Sequence, residues 1–513
     1  MLRHPKEYLL KDTQTVSDLI REFVLKNIMN MLSKLLAKPV MITLLLIIAN
    51  FIFKGVFLSS NSIAGDEPFS IFHAQMDVST IIDVISKGNN PPLYELILHF
   101  WIKLFGVSEF STRLPSLIFS SITVGFIYKI GRNHFNKSVG IIAGLLFILS
   151  NYQVLLAHES RVYALVGMLT AISMFHFFEF ITKSKNRNRS LIVVIFSNIF
   201  LIYSHYMSFF ILIVQLIYVL SKSDLRTKFK KEILTAVGVI FIFYLPNINV
   251  LIWRFQDSSS NGTWIKAPSG VEDLYFMIWK FTNAPITAVV AIVILLAAGI
   301  KYFVTRRNTE NRPSQIVLLW FLLPFLTMFI ISFWVPMFLD RYLMITTIGF
   351  YILLAHVASS LIPRFKFILP SILVILFAVT SRPNVSNNRD SKGAISKVLE
   401  LKRDGDLVLI CPMWFDINFM YYYDQNKFKA CHNDHTKEVM YAYLNAQNIF
   451  PIHKISQIDS TQFSLAKRVI YLDVAADYDF PKNGIKSYLD DNFDLVDNHH
   501  FPKVSFIYEY ESR

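Results

Sequence analysis

Charge is what this chain has least of. Asp, Glu, Lys and Arg make up 17% of its 513 residues, against about 25% in soluble domains. A surface so thin in charge does not keep the chain in water, which excludes a soluble enzyme, a disordered protein and a nucleic-acid module. Cysteine is nearly absent: Cys411 and Cys431 alone cannot build a disulfide framework or a four-ligand zinc site. No Gly-rich phosphate loop, cytosolic catalytic domain or internal repeat is visible.

Apolar side chains fill the gap. Hydrophobic residues are 53% and aromatics 15%, with 46 Phe and 23 Tyr, the composition of a polytopic membrane protein. The 50 Lys and Arg exceed the 37 Asp and Glu, for a net charge of +13. In such a chain this excess reflects basic loops held on the cytoplasmic side. Residues 1–38 are too long and too acidic for a signal-peptide n-region and read as a retained cytoplasmic segment. A first span at 40–58 carries Gly65-Asp66-Glu67-Pro68 outside. Basic stretches follow at 132–137, 183–189, 222–231, 301–312 and 363–366. With all of them cytoplasmic, spans fall at 113–131, 138–157, 162–182, 190–203, 206–221, 233–251, 285–304, 314–333, 340–358 and 367–381, about eleven crossings with the first.

The expected architecture is an α-helical polytopic membrane protein with a small C-terminal extracytoplasmic α/β domain. Residues 39–382 form the transmembrane domain, with a first outer loop at 59–112, and residues 383–513 form the soluble domain. Parity leaves no crossing for 91–105, which reads as an interfacial helix with Glu95, His99 and Lys103 on one face. The stretch 190–221 is too long for one crossing and turns near Ser204-His205-Tyr206. In the soluble domain, strands are expected at 406–411, 469–473 and 504–510, and helices at 392–402 and 436–448. Both cysteines fall there; a disulfide and a buried thiol at the end of 406–411 are both open.

Polar residues near spans carry the functional signal. Most of the unusual ones fall on the outer face: Asp66, Glu67, His73, Asn89, Asn90, His158, Glu159, Arg161, Tyr163, His205, Tyr206, Asp340, Arg341 and Tyr342. Asp66 or Glu67 could serve as general base on an acceptor, or as a solvated loop acid. Arg161 could grip a phosphate with its planar fork, or pair with Glu159 to close a helical hairpin. Arg341 sits where a lipid phosphate would lie, or snorkels as an anchor. Asn90-Pro91-Pro92-Leu93 opens a helix, and His205 is a lone histidine between short spans. The outer loop 254–283, with Asp257, Trp264, Lys266 and Trp279, covers a site or is merely solvated.

These residues, in order, resemble the polytopic GT-C glycosyltransferases, among them the protein O-mannosyltransferases and the lipid A aminoarabinose transferases. The carriers are Gly65-Asp66-Glu67, Asn90-Pro91-Pro92-Leu93, Phe105-Gly106-Val107-Ser108-Glu109, Arg113-Leu114-Pro115-Ser116, His158-Glu159-Ser160-Arg161-Val162-Tyr163 and Arg341-Tyr342, over residues 40–360. The resemblance implies a GT-C-like fold and transfer of a sugar from a polyprenyl phosphate at the outer membrane surface. It implies a catalytic acid at Asp66, followed by Glu67. Where the family often has Lys or His before Pro-Pro, this chain has Asn90, which moves any cationic phosphate contact to Arg161 or Arg341.

The expected activity is therefore that of a hexosyl- or pentosyltransferase. Asp66 and Glu67 are the catalytic candidates. Asn90, His158, Glu159, Arg161, Tyr163, His205, Arg341 and Tyr342 are the substrate-binding ones. The partners are a polyprenyl-phosphate-linked sugar, an acceptor lipid, glycan or protein, and the bilayer, with no nucleic acid. No cofactor is expected, and a divalent metal is left open. The expected location is a bacterial inner (plasma) membrane. The alternatives are a lipid-linked glycan flippase or transporter, which needs polar groups along a path across the membrane, and a glycan polymerase.

Overall fold

A computed structural model describes residues 38–88, 90–183, 185–261, 265–305, 312–430, 437–501 and 505–513. The expected cytoplasmic segment (but for Lys38), Asn89, Trp264 and Cys431 lie outside the described residues.

Helix α1 (Pro39–Gly55) opens with proline, which has no N–H to leave unsatisfied there. The loop at 59–112 then folds into α2 (Glu67–His73), α3 (Val78–Ser86) and α4 (Leu93–Phe105). The Asp77 carboxylate caps α3 by accepting from Thr80 N at 3.0 Å. Helix α5 (Glu109–His134) is capped by Ser108, whose hydroxyl accepts from Ser111 N at 3.0 Å. Helices α6 (Lys137–Leu149) and α7 (Asn151–Ala157) meet at Ser150 with a bend of 66°, and α8 (Tyr163–Thr182) follows. Helix α5 packs on α1, α6 and α8 at the centre of the bundle. It reaches α6 closely because Gly131 and Gly140 face each other with no room for a Cβ on either.

A helix occupies every expected span. Among the described residues, six are long and apolar enough to cross a bilayer: Glu109–His134, Tyr163–Thr182, Lys230–Arg254, Pro285–Val304, Arg312–Ile331 and Asp340–Leu361. The bent α6–α7 pair makes up to seven. Pro39–Gly55, Tyr206–Ser221 and Ile368–Thr380 are shorter apolar helices, and Arg187–Ile202 has 16 residues. At about 1.5 Å per residue these fall short of a hydrocarbon core of about 30 Å. The turn at Tyr203–Ser208, expected from the length of 190–221, accounts for two of them, Arg187–Ile202 and Tyr206–Ser221.

The basic stretches gather at one end. Arg132, Lys137 and Lys183 line a common cavity. The Arg187 guanidinium lies over the Phe229 ring, Arg312 pairs with Asp224 at 2.8 Å, and Lys301 donates to Leu361 O at 2.8 Å.

Helix α4 has 13 residues and is too short to cross. Two of the three expected polar residues turn inward: Glu95 and His99 are buried, while Lys103 is exposed, as are Phe100, Leu104 and Phe105.

The C-terminal domain holds a five-stranded sheet in the order β2-β1-β3-β5-β4. Its strands are β1 (Leu407–Cys411), β2 (Ile449–Pro451), β3 (Arg468–Asp473), β4 (Phe493–Phe501) and β5 (Ser505–Ser512). Strand β1 runs parallel to β2 and β3, and β5 antiparallel to β3 and β4. The unbroken apolar run of β1 suits a strand buried on both faces. The Cys411 thiol is buried at its end, against His453 O at 3.7 Å. A polar linker at 384–390 and this domain dock on the loop at 59–112. Asn61 Nδ2 donates to Val385 O at 2.7 Å, and Asn387 Nδ2 donates to Ser62 O at 3.0 Å. The Tyr422 hydroxyl accepts from Ile63 N at 2.6 Å and donates to Glu109 at 3.0 Å.

Candidate active site

Gly65 makes the turn that delivers Asp66. Its φ of +62° is open to glycine, and Arg389 from the linker packs where a Cβ would stand. Asn418 Nδ2, from the C-terminal domain, holds the Gly65 carbonyl at 3.1 Å. Asp66 thus stands at the head of α2 with its side chain 48% exposed.

Two arginines converge on it from distant parts of the chain. Arg341 Nη1 donates to Asp66 Oδ2 at 2.9 Å from the turn Asp340–Leu343. Arg161 Nη2 is 3.8 Å from the same oxygen. Tyr163 lies under both guanidiniums, its ring centroid 6.0 Å from Arg161 Cζ and 5.8 Å from Arg341 Cζ. The His205 ring stacks edge-on against Tyr342 at 4.9 Å, and its Nδ1 accepts from Met207 N at 3.1 Å. Asp66 and Arg341 form a direct pair rather than standing apart, because the carboxylate is the anion both guanidiniums face. The surrounding protein raises the Asp66 pKa by desolvation, but Arg161, Arg341 and Arg389 more than offset this and hold it below the usual carboxylate range.

The neighbouring acid behaves oppositely. Burial, with Glu67 and Asp66 nearby, pushes Glu159 up to about 7 despite Arg341 and Arg161. Burial and the same arginines push His205 down to about 3, so its imidazole is neutral. Two carboxylates with separated pKa values, beside two arginines, form the constellation expected of proton-transfer chemistry.

Glu67 has another place than the one expected of a catalytic acid. It is turned inward, 2% exposed, and gripped in bidentate fashion by Arg113 Nε and Nη2 at 2.8 and 2.7 Å. Ser160 N donates to it at 2.8 Å. Arg113 also binds Leu58 O, Asn61 O and Ser62 O. Position drives this: α2 winds so that residue 67 faces α5 while residue 66 faces out. His158 likewise points away, its Nε2 2.6 Å from Lys54 O, with its pKa lowered by burial to about 4. Asn90 is buried before the Pro-Pro turn, and its Oδ1 has no hydrogen-bond partner among the described residues. Leu93 N, beyond that turn, bonds to Tyr203 O at 3.2 Å and ties it to the His205 segment. The structure therefore joins Asp66, Glu159, Arg161, Tyr163, His205, Arg341 and Tyr342, and sets Glu67 and His158 behind them.

Sequence reasoning missed the supports. Arg161 Nη1 donates to Ser70 Oγ at 2.7 Å, and Ser70 donates to Glu95 at 2.8 Å. Burial raises the Glu95 pKa, with Arg161 acting against it. Arg113 in a span and Glu95 in an apolar helix were available signals, since charge there needs a partner. Arg389, Asn418 and Tyr422 gave none. The loop 254–283 forms a helix at Glu272–Phe281 with Met277, Ile278 and Phe281 buried, and Lys280 pairs with Asp340 at 2.8 Å. It packs beside Arg341 rather than standing free in solvent. Among the described residues, the group spaced to hold an ion is Asp497, His499 and Glu509, on the β4–β5 hairpin, with ligand atoms within 4.8 Å. Arg468 also occupies Glu509, at 2.9 Å.

The family described as dolichyl-phosphate-mannose-protein mannosyltransferase matches residues 89–253. No curated protein matches the sequence. Among solved structures, the chain is similar to ArnT from Cupriavidus metallidurans in the apo state, at 11% identity and a TM-score of 0.57, over 91% of this chain and 97% of that one. The same protein bound to undecaprenyl phosphate matches over equal shares, at 12% identity and a TM-score of 0.57. The chain has the GT-C glycosyltransferase fold. Within that fold, the apolar helices make it an integral membrane protein, and the Asp66 cluster lies at one end of the bundle, where the loop at 59–112 meets the C-terminal domain.

Proposed function

We propose that this chain is a membrane glycosyltransferase that moves a sugar from a polyprenyl-phosphate donor to an acceptor at one membrane surface. The observation that carries the site is the Asp66 carboxylate held ionised between Arg161 and Arg341. The undecaprenyl phosphate bound to ArnT supports the donor class.

Asp66 takes the proton of the acceptor hydroxyl or amine as that atom attacks the anomeric carbon. The carbon–oxygen bond to phosphate breaks with inversion, and the bonding pair leaves on the polyprenyl phosphate. Arg341 and Arg161 offset that charge, moving from the carboxylate toward the phosphate. Tyr163, His205 and Tyr342 wall the guanidiniums. Glu159 changes protonation near neutral pH, and Asn90 sets the turn beside His205. Glu67 acts through Arg113 as a positioning residue. The donated sugar is a hexose or pentose and the acceptor a lipid, glycan or protein. We place the site outside a bacterial inner membrane, with the C-terminal domain on the same side. The acid and its two arginines at Asp66 stand at one end of the bundle rather than midway along it, which favours transfer over transport.

The test is transfer by the full chain in proteoliposomes, with a panel of polyprenyl-phosphate hexoses and pentoses, read by mass spectrometry of the acceptor. Wild type transfers at least one sugar. Passage of a lipid-linked glycan across the bilayer, with no sugar transferred, would overturn the proposal in favour of a transporter.

A further inference from the structure

The opposite end of the bundle carries a second site. A cavity of about 460 Å³ opens between the ends of α5, α6 and α8, lined by Tyr128, Arg132, Asn133, Lys137 and Lys183. That volume lies in the range of small-molecule sites, about 300–1,000 Å³. Nineteen residues of α5 separate Arg113, beneath the Asp66 loop, from Arg132, a rise of about 28 Å. This is close to the hydrocarbon thickness of about 30 Å. The cavity therefore opens at the other membrane surface.

Its chemistry is that of an anion site. Arg132, Lys137 and Lys183 bring three positive charges to one opening. Glu179 is the acid facing them: it pairs with Lys183 at 2.8 Å and accepts from Asn133 Nδ2 at 3.3 Å. His134 Nε2 lies 3.3 Å from it. Glu179 offsets the Lys183 charge, and the opening stays lined by basic side chains. The second observation is Tyr128. It is 1% exposed, and its buried hydroxyl has no hydrogen-bond partner among the described residues. A buried hydroxyl left unsatisfied is destabilising, a cost that an anionic oxygen in the cavity would relieve.

We propose that this cavity binds the phosphate of an anionic phospholipid headgroup in the leaflet opposite Asp66. Basic pockets between helix ends recognise lipid phosphates by charge and by a few fixed donors. Here Arg132 and Lys183 supply the charge at the rim and the Tyr128 hydroxyl supplies a donor at the floor. The assignment is independent of the sugar-transfer reading.

The test is native mass spectrometry of the purified full chain, titrated separately with phosphatidylglycerol, phosphatidylcholine and inorganic phosphate. Wild type should retain phosphatidylglycerol over phosphatidylcholine. Arg132→Gln with Lys183→Gln should weaken retention by roughly fivefold per charge, the effect of about 1 kcal/mol per basic residue. Tyr128→Phe should weaken it several-fold while leaving the thermal midpoint unchanged or higher, which a purely structural tyrosine would not do. Lys230→Gln with Lys231→Gln, in another basic stretch, should have no effect. Equal retention of both lipids, or wild-type retention by the cavity variants, would overturn the proposal. Displacement of phosphatidylglycerol by inorganic phosphate at comparable concentration would overturn the lipid assignment in favour of a free phosphate.

Discussion

Asp66 and Glu67 are adjacent in sequence and opposite in circumstance. One faces two guanidiniums at the surface, the other is locked under Arg113. Asp66→Asn keeps the shape and removes the base, so transfer should fall on the order of 10²–10⁴-fold with the protein still folded and inserted. Near wild-type transfer by this variant would remove Asp66 from the mechanism. Arg341→Ala should weaken use of the lipid donor, seen as a rise in its KM or a fall in kcat. Glu159 offers a test by pH. Its pKa of about 7 in the folded chain exceeds the value of about 4.3 for an unperturbed Glu. The folded state therefore keeps a proton that the unfolded chain has lost, and Glu159 lowers stability progressively as pH rises through that window. His158 and His205, with lowered pKa values, act with the opposite sign, so the measurement is a difference. The advantage in Tm of Glu159→Gln over wild type should grow from pH 5 to pH 8. A constant difference would mean that Glu159 does not titrate there.

Between elements, the Glu67–Arg113 pair fixes α2 to α5 and so aims Asp66. Both side chains are almost wholly buried, at 3% and 0% exposure. Removing one partner of such a pair strands a charge and costs about 3–5 kcal/mol. Glu67→Gln or Arg113→Met should therefore lower the thermal midpoint in detergent before any question of catalysis arises; unchanged stability would contradict this role. The same elements mark what the sequence made legible. Apolar runs located every helix of the bundle, because burial in lipid leaves a signal at each position. The break near His205 was readable from length, and β1 and β3 from their β-branched runs. Strand β4 was not, since Asp494, Asp497, Asn498 and His500 mask its alternation. The α2 and α3 helices were hidden by shortness. The sequence placed Asp66, Arg161 and Arg341 on one side of the membrane, but the direct Asp66–Arg341 pair and the inward turn of Glu67 depend on loop geometry and helical phase, which short motifs do not reveal.

At the scale of the molecule, charge sorts the two ends. The basic stretches had been grouped by the positive-inside rule alone, and the structure joins them in space: 132–137 with Lys183, Arg187 with Phe229, Asp224 with Arg312, and Lys301 with Leu361. They share an end separated from Arg113 by most of the length of α5, while Asp66, Arg161 and Arg341 hold the other end together with the C-terminal domain. One end must then face the cytoplasm, and the basic one is favoured. Single cysteines, in a background with Cys411 and Cys431 replaced, give the measurement. A cysteine at Asn186 should react with membrane-impermeant maleimide only after the cells are opened, and one at Asp404 should react in intact cells. Both positions labelling from the same side would break the parity of the spans. Labelling of Asn186 from outside would place Asp66 in the cytoplasm, where a donor displayed on the outer leaflet cannot reach it.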